Sequence, residues 1–213
     1  MDKYKETFET WDKIATLYQS KFMDLNLYNE TYDFFCDVLK NEQIHIFEIG
    51  CGPGNITKYL LSKKTNLKIW GIDIAPNMIE LAQKNNPSAR FEVMDTRNLN
   101  KVNQKFNAII CGFCLPYLSE EDCSKLICDA EKMLCPNGIF YLSFVEGQSS
   151  ESGFISGSTG DRTYFYYHSL KYIEKQLFAN NFKIIQLFEI KYPKSENTEI
   201  HTILIAQKNE RNH

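Results

Sequence analysis

The chain has 213 residues, 24 of them Lys or Arg and 27 Asp or Glu, for a formal net charge of −3. That length suits one domain with a proper core. No basic tail exists and no Lys/Arg run exceeds the pair Lys63-Lys64, so the basic stripe of a dedicated nucleic-acid binder is missing and no nucleic-acid partner is expected.

The start, MDKYKETFETWDKI, lacks a signal-peptide core, and no run approaches the apolar length of a membrane span. Cytoplasmic residence without a membrane partner is the expectation. Seven cysteines, an odd number set mostly within apolar or helical patterns, suit reduced thiols.

Residues 8–22 place Phe8, Trp11, Ile14, Ala15, Tyr18 and Phe22 at helical spacing, and 28–40 do the same with Tyr32, Phe35, Cys36 and Leu39. The period then changes. IHIFEIG (44–50) is a short apolar run ending at glycine, which predicts a buried strand. NITKYLLSK (55–63) is helical, LKIWGIDI (67–74) a second strand, PNMIELAQKN (76–85) a helix with proline in its first turn, and ARFEVMD (89–95) a third strand.

FNAIICGF (106–113) is the fourth strand. The helix 119–134 follows, with Ser119 as N-cap and three acids at its positive end. GIFYLSFV (138–145) follows the turn CPNG. Residues 146–161 read as a polar loop and 169–180 as a final helix, for which Asn180-Asn181 can supply a left-handed cap. FKIIQLFEIKY (182–192) and EIHTILIAQK (199–208) form a hairpin around the turn PKSEN. Such alternation predicts a doubly wound, Rossmann-like α/β sheet of seven strands, mostly parallel with a C-terminal antiparallel hairpin.

FEIGCGPGN (47–55) is the most informative stretch. Gly50, Gly52 and Gly54 permit backbone conformations closed to other residues, at the first strand–helix turn, where open α/β sheets bind ligands. The helix from Asn55 aims free N–H groups at the same place. Asp73, ending the second strand, is placed to accept hydrogen bonds from ribose hydroxyls. The spacing is GxGxG, not the GxGxxG of dinucleotide sites, and the Glu48 carboxylate suits a cationic ligand better than a pyrophosphate.

These stretches resemble class I S-adenosylmethionine-dependent methyltransferases over nearly the whole chain. EIGCGPGN resembles the first family motif, GIDIAPNMIELAQ the second, FEVMDTRNL the third and FNAIICGFCLPYLS the fourth. The resemblance implies S-adenosylmethionine as cofactor, S-adenosylhomocysteine as its product, and no metal. It implies contacts from Glu48, Gly50, Cys51, Gly52, Gly54, Asn55, Asp73, Ile74, Met78, Met94, Asp95, Thr96 and Cys111. WDKIATLYQSKF resembles the family's N-terminal helix, whose tyrosine, here Tyr18, closes over the methionine carboxylate; helical spacing alone makes Tyr18 a packing residue.

Pro116-Tyr117 stands where many relatives carry a histidine pair, which removes the usual substrate-contacting candidate. Tyr117, Arg162 and His168 are the candidates left for acceptor chemistry: Arg162 to hold a carboxylate or phosphate, and His168, or a tyrosine among Tyr164, Tyr166 and Tyr167, to take a proton. Cys111-x-x-Cys114 without a second pair reads as packing, not zinc. The expected layout is one domain, 1–213. It comprises a helical cap (1–42), a cofactor core (43–145), a substrate loop or lid (146–168) and a final helix with hairpin (169–213). Methyl transfer to a small-molecule acceptor by in-line displacement is the expected activity. A non-catalytic cofactor-binding scaffold and an NAD-dependent oxidoreductase are its rivals. The sequence is silent on oligomeric state.

Overall fold

Apolar runs too short for helices, each closed by glycine, aspartate or cysteine, become the central strands. A computed structural model of the chain describes residues 2–40, 43–157, 159–193 and 198–210. Strand β1 (Ile44–Ile49) lies between β2 (Leu67–Asp73) and β4 (Phe106–Cys111), parallel to both. Beyond them lie β3 (Arg90–Val93) on one side and β5 (Leu134–Val145) on the other.

Following the two-stranded 149–168 insertion, β8 (Phe182–Pro193) and β9 (Thr198–Lys208) close the sheet. Its order is β3-β2-β1-β4-β5-β9-β8, with β9 antiparallel to both neighbours, so six strands run one way and one the other. The hairpin's expected turn, PKSEN, lies outside the described residues apart from Pro193.

Alternate side chains of the strands enter two cores, one on each face. Phe47, Phe106 and Phe140 meet α6 (Glu120–Met133) and α7 (Leu170–Ala179) through Leu126, Ile127, Ile173 and Leu177. Ile46, Ala108 and Tyr141 meet α3 (Asn29–Val38) and α4 (Asn55–Lys63) through Tyr32, Phe35 and Leu60. Each large side chain buried in this way contributes about 1.5–3 kcal/mol before chain entropy is counted.

Helix α6 starts as read: the Ser119 hydroxyl accepts from the Asp122 N–H, with Glu120, Glu121 and Asp122 in the first turn. Helix α7 stops with Asn181 at φ 64°, so of the two asparagines it is Asn181 that takes the left-handed position.

Two expectations change. The helix at 8–22 is two helices, α1 (Lys3–Lys13) and α2 (Ala15–Phe22), broken at Ile14 with φ −97° and ψ 13°. Residues 146–168 are more than a loop. A 3₁₀ turn at Ser149–Glu151 leads into the antiparallel hairpin of β6 (Gly153–Ser156) and β7 (Arg162–Phe165). A lone hairpin is marginal in water, and this one leans on α1. The Thr7 hydroxyl accepts from the Tyr164 N–H at 2.9 Å, and the Thr10 hydroxyl donates to the Arg162 carbonyl at 2.9 Å. Lys13 reaches Asp161 at 2.7 Å, and Arg162 pairs with Glu6. Support from residues some 150 positions away is invisible to a local reading.

Candidate active site

Strand order reverses at β1 and β4, and the crevice at their carboxyl ends is where this sheet type binds ligands. The glycine turn sits there, and its three glycines divide the work. A Cβ on Gly54 would fall 2.4 Å from the Asn86 amide nitrogen, and one on Gly50 2.9 Å from the Cys114 Cβ, so both are demanded by protein packing. Gly52 differs. At φ +52° its Cβ would meet only the Tyr18 ring, at 3.7 Å, and Asn55 Oδ1, at 4.0 Å, so this glycine keeps the cleft floor open.

Asp73 ends β2 beside that turn. One carboxylate oxygen accepts the Gly52 N–H at 2.9 Å and the other the Ala75 N–H at 3.0 Å, which locks the side chain into the cleft wall. Burial pushes its pKa up, and the backbone donors of Ala75, Gly52 and Ile74 pull it back. Glu48 lies beneath the floor, 1% exposed. Oε2 accepts the Thr57 hydroxyl, and Oε1 has no partner among the described residues. Burial raises its pKa to about 8; Thr57 opposes the rise and Asp73 adds to it.

A cleft of about 770 Å³ opens above these groups. Of the residues singled out from sequence, Tyr18, Gly50, Gly52, Asp73, Ile74, Met78, Asp95, Thr96 and Tyr117 line it, joined by Phe8, Trp11, Gly112, Phe113, Cys114 and Leu118. Burial pushes the Asp95 carboxyl up, but the Arg97 side chain and N–H outweigh it and hold the pKa below its ordinary value. Arg97 grips both carboxylate oxygens, at 2.6–3.0 Å, and stacks over the Tyr4 ring at 4.4 Å. Tyr18 packs against Trp11 (5.5 Å, edge-on) and Phe22 (4.5 Å). Burial first, then the charge of Asp73, raises its pKa to about 12, so Tyr18 presents a neutral hydroxyl.

A second chamber of about 1020 Å³ adjoins the first and shares Trp11, Tyr18, Phe113 and Tyr117 with it. Cys51 and Asn55 open onto this chamber. Its remaining wall is largely aromatic: Phe22, Tyr28 and Tyr32 from the N-terminal region, Phe165 from the inserted hairpin and Tyr192 from β8. Leu25, Ile56, Pro116 and Val145 add aliphatic surface, and Glu199 and His201 of β9 supply a polar end. Phe113 sits at the junction with φ 55°, a left-handed conformation rare for a bulky side chain, its N–H bonded to the Ser143 hydroxyl at 2.8 Å.

Four expected cofactor contacts line neither space: Glu48 and Gly54 lie beneath, Met94 packs against the core and Cys111 is wholly buried. Two acceptor-chemistry candidates are corrected. His168 is fully buried behind the wall, its Nε2 3.0 Å from the Leu115 carbonyl and 3.6 Å from Cys123 Sγ, and burial lowers its pKa. It holds the segment before α6 in place and does not reach an acceptor. Arg162 is committed to Glu6 and lies over the Phe154 ring at 4.2 Å, on the outside of the hairpin. Of the three candidates only Tyr117 faces both spaces, edge-on to Trp11 (5.2 Å) and Phe165 (5.8 Å).

Among the described residues no cluster of His, Cys, Asp or Glu is arranged to hold a metal ion, no helix is long and apolar enough to cross a membrane, and all seven cysteines are free thiols.

Residues 46–138 match the family model of a methyltransferase domain. Over 86 residues the chain is 36% identical to the malonyl-[acyl-carrier protein] O-methyltransferase of Acetivibrio thermocellus, covering 39% of this chain and 30% of that protein. It is 31% identical over 86 residues to a tRNA N(3)-methylcytidine methyltransferase of Schizosaccharomyces pombe, covering 39% of this chain and 35% of the relative. The chain thus spans about a third of the length of these curated relatives. In fold it matches the structure of DhpI in complex with S-adenosylhomocysteine, with a TM-score of 0.74 over 98% of both chains at 12% identity. Together these matches show a methyltransferase domain over residues 46–138, in a chain that has the fold of these S-adenosylmethionine-dependent methyltransferases.

Proposed function

We propose that the protein transfers a methyl group from S-adenosylmethionine to a small-molecule acceptor by in-line displacement. One observation carries the reading: the Gly52–Asp73 turn closes one end of a cleft that runs, past Trp11, Tyr18 and Phe113, into a second, aromatic chamber. A cofactor and an acceptor in these adjoining spaces would meet at their shared wall.

The cleft's chemistry fits the cofactor. Asp73 retains lone pairs for ribose hydroxyls, the open floor at Gly52 admits close approach, and the unpartnered Glu48 oxygen supplies acidic character below it. Met78, Asp95 and Thr96 would border the adenine, and Tyr18 would cover the methionine end. When bound, the cofactor supplies an electrophilic methyl on a sulfonium. The chain's own contribution is alignment and exclusion of water. Trp11, Phe22 and Tyr28 from the N-terminal helical region and Phe165 from the 146–168 segment wall the acceptor side, as one domain. The free thiols suit a cytoplasmic enzyme.

Thermal unfolding with S-adenosylmethionine, S-adenosylhomocysteine, NAD or NADP added separately tests the reading. A ligand at a hundred times its dissociation constant stabilises by about 2.7 kcal/mol, a rise of roughly 5–10 °C at this chain length. Only the two adenosyl-sulfur compounds should raise the midpoint. A rise with the nicotinamide cofactors alone would overturn the assignment. Cofactor binding with no turnover across broad acceptor panels would favour the scaffold reading.

A further inference from the structure

The polar end of the aromatic chamber is built from Tyr28 and, 173 positions further along the chain, His201 with its β9 neighbour Glu199. The Tyr28 hydroxyl and His201 Nδ1 share a hydrogen bond of 2.7 Å. On the other side of the ring, His201 Nε2 faces the Glu199 carboxylate at 3.5 Å. The imidazole is held flat by Tyr192, stacked at 4.6 Å and 9°, and braced by Phe113 at 4.9 Å. All five residues line the chamber. A hydroxyl, an imidazole and a carboxylate in series form a path along which a proton can move and its charge be balanced.

The rest of the wall bears on charge. Among the described residues that line it, Glu199 is the only carboxylate and none is Lys or Arg. An anionic acceptor would lose its water and gain no counter-charge. A cationic one would approach a sulfonium of like sign. Flat apolar walls suit a flat, uncharged molecule.

We infer that the chamber takes a neutral, flat, unsaturated acceptor bearing one O–H or N–H, and that the Tyr28–His201–Glu199 chain receives its proton. The inference rests on the methyl-transfer reading. In the step the acceptor's O–H or N–H bond breaks and its oxygen or nitrogen bonds the methyl carbon. The sulfur–methyl bond breaks with its electron pair left on sulfur. The released proton enters at the Tyr28 hydroxyl, which passes its own proton to His201 Nδ1. The positive charge lost at sulfur reappears on the imidazolium, opposite Glu199.

Calorimetry and absorbance with two flat probes test this. The protein is first titrated with S-adenosylhomocysteine, then that complex with 4-nitrophenol and with 4-nitrobenzoate, below neutral pH. We expect the phenol to bind at least about tenfold tighter than the carboxylate. Its bound form should absorb more in the nitrophenolate band than free phenol at the same pH. In His201→Gln the band shift should vanish while affinity stays within about threefold. In Glu199→Gln, at the chamber rim, the shift should shrink; that variant decides the matter should His201→Gln fail to fold. Equal or tighter binding of the carboxylate, binding of neither probe, or a shift that survives both substitutions would sink the inference. Failure of S-adenosylhomocysteine to bind would sink the methyl-transfer reading itself, so the two failures are told apart at the first titration.

Discussion

The two adjoining spaces are built on opposite principles. The floor of the cleft is set by backbone: N–H groups of Gly52 and Ala75 fix one carboxylate, and most of its lining follows the carboxyl ends of β1 to β4, with Phe8, Trp11 and Tyr18 added from the first helices. The aromatic chamber is made by side chains from the first helices, the inserted hairpin and the final strands. Backbone geometry holds one ligand class firmly. Side-chain walls can change with few consequences for the sheet. On the proposed reading, the comparison teaches that the fold fixes the donor half and leaves the acceptor half to each chain.

The sharpest way to break this contrast is Asp73→Ala. It should lower S-adenosylhomocysteine affinity by about a hundredfold, or roughly 3 kcal/mol for a charge-assisted bonding group. 4-Nitrophenol binding to the apo protein should be unchanged. Calorimetry on both ligands checks it; equal losses would mean that the two spaces act as one.

Next comes Glu48→Gln. A carboxyl raised from 4.5 to about 8 on folding stays protonated in the fold while the unfolded chain ionises. Stability is therefore full below the unfolded pKa and is lost as pH climbs toward 8. Denaturant melts of the apo protein should show the variant gaining on the wild type by about 2 kcal/mol between these limits. The gain should be absent at more acidic pH. In the wild type, cofactor binding near neutral pH should release protons, read as a buffer dependence of the binding heat. A flat pH profile would place the Glu48 charge elsewhere.

A smaller effect, about fivefold or 1 kcal/mol, is expected on 4-nitrophenol binding from Phe165→Leu, which removes an aromatic wall and its edge-on contact with Tyr117. Cofactor affinity should hold. Smallest is Arg162→Ala. The guanidinium is half exposed and paired with Glu6 outside both spaces, so melting point and cofactor affinity should scarcely move. A tenfold loss of probe binding would return Arg162 to acceptor chemistry.

The same contrast explains what could be read beforehand. The five alternating strands, the glycine turn and Asp73 were legible because each is a local pattern whose consequence is local. Tyr18 and Trp11 showed as one helical face, but packing and cleft lining look alike in a periodicity. Tyr28 and His201 stand 173 positions apart, and only the antiparallel entry of β9 beside β5 unites them. His168 and Arg162 misled because a polar residue in a glycine-rich segment reads as available. The Leu115 carbonyl and Glu6, which occupy them, come from distant parts of the chain.

Helix α1 and the hairpin β6–β7 are tied by Thr7, Thr10, Glu6 and Lys13. Both sit over the crevice, α1 through Phe8 and Trp11 and the hairpin strand through Phe165. On the proposed reading, entry and exit would pass beneath one composite flap whose halves are joined by polar contacts. Raised ionic strength should weaken its two ion pairs and hasten product escape before it alters the melting point. For anyone altering this protein's selectivity, the salt of the assay is then a variable on the same footing as the residues changed.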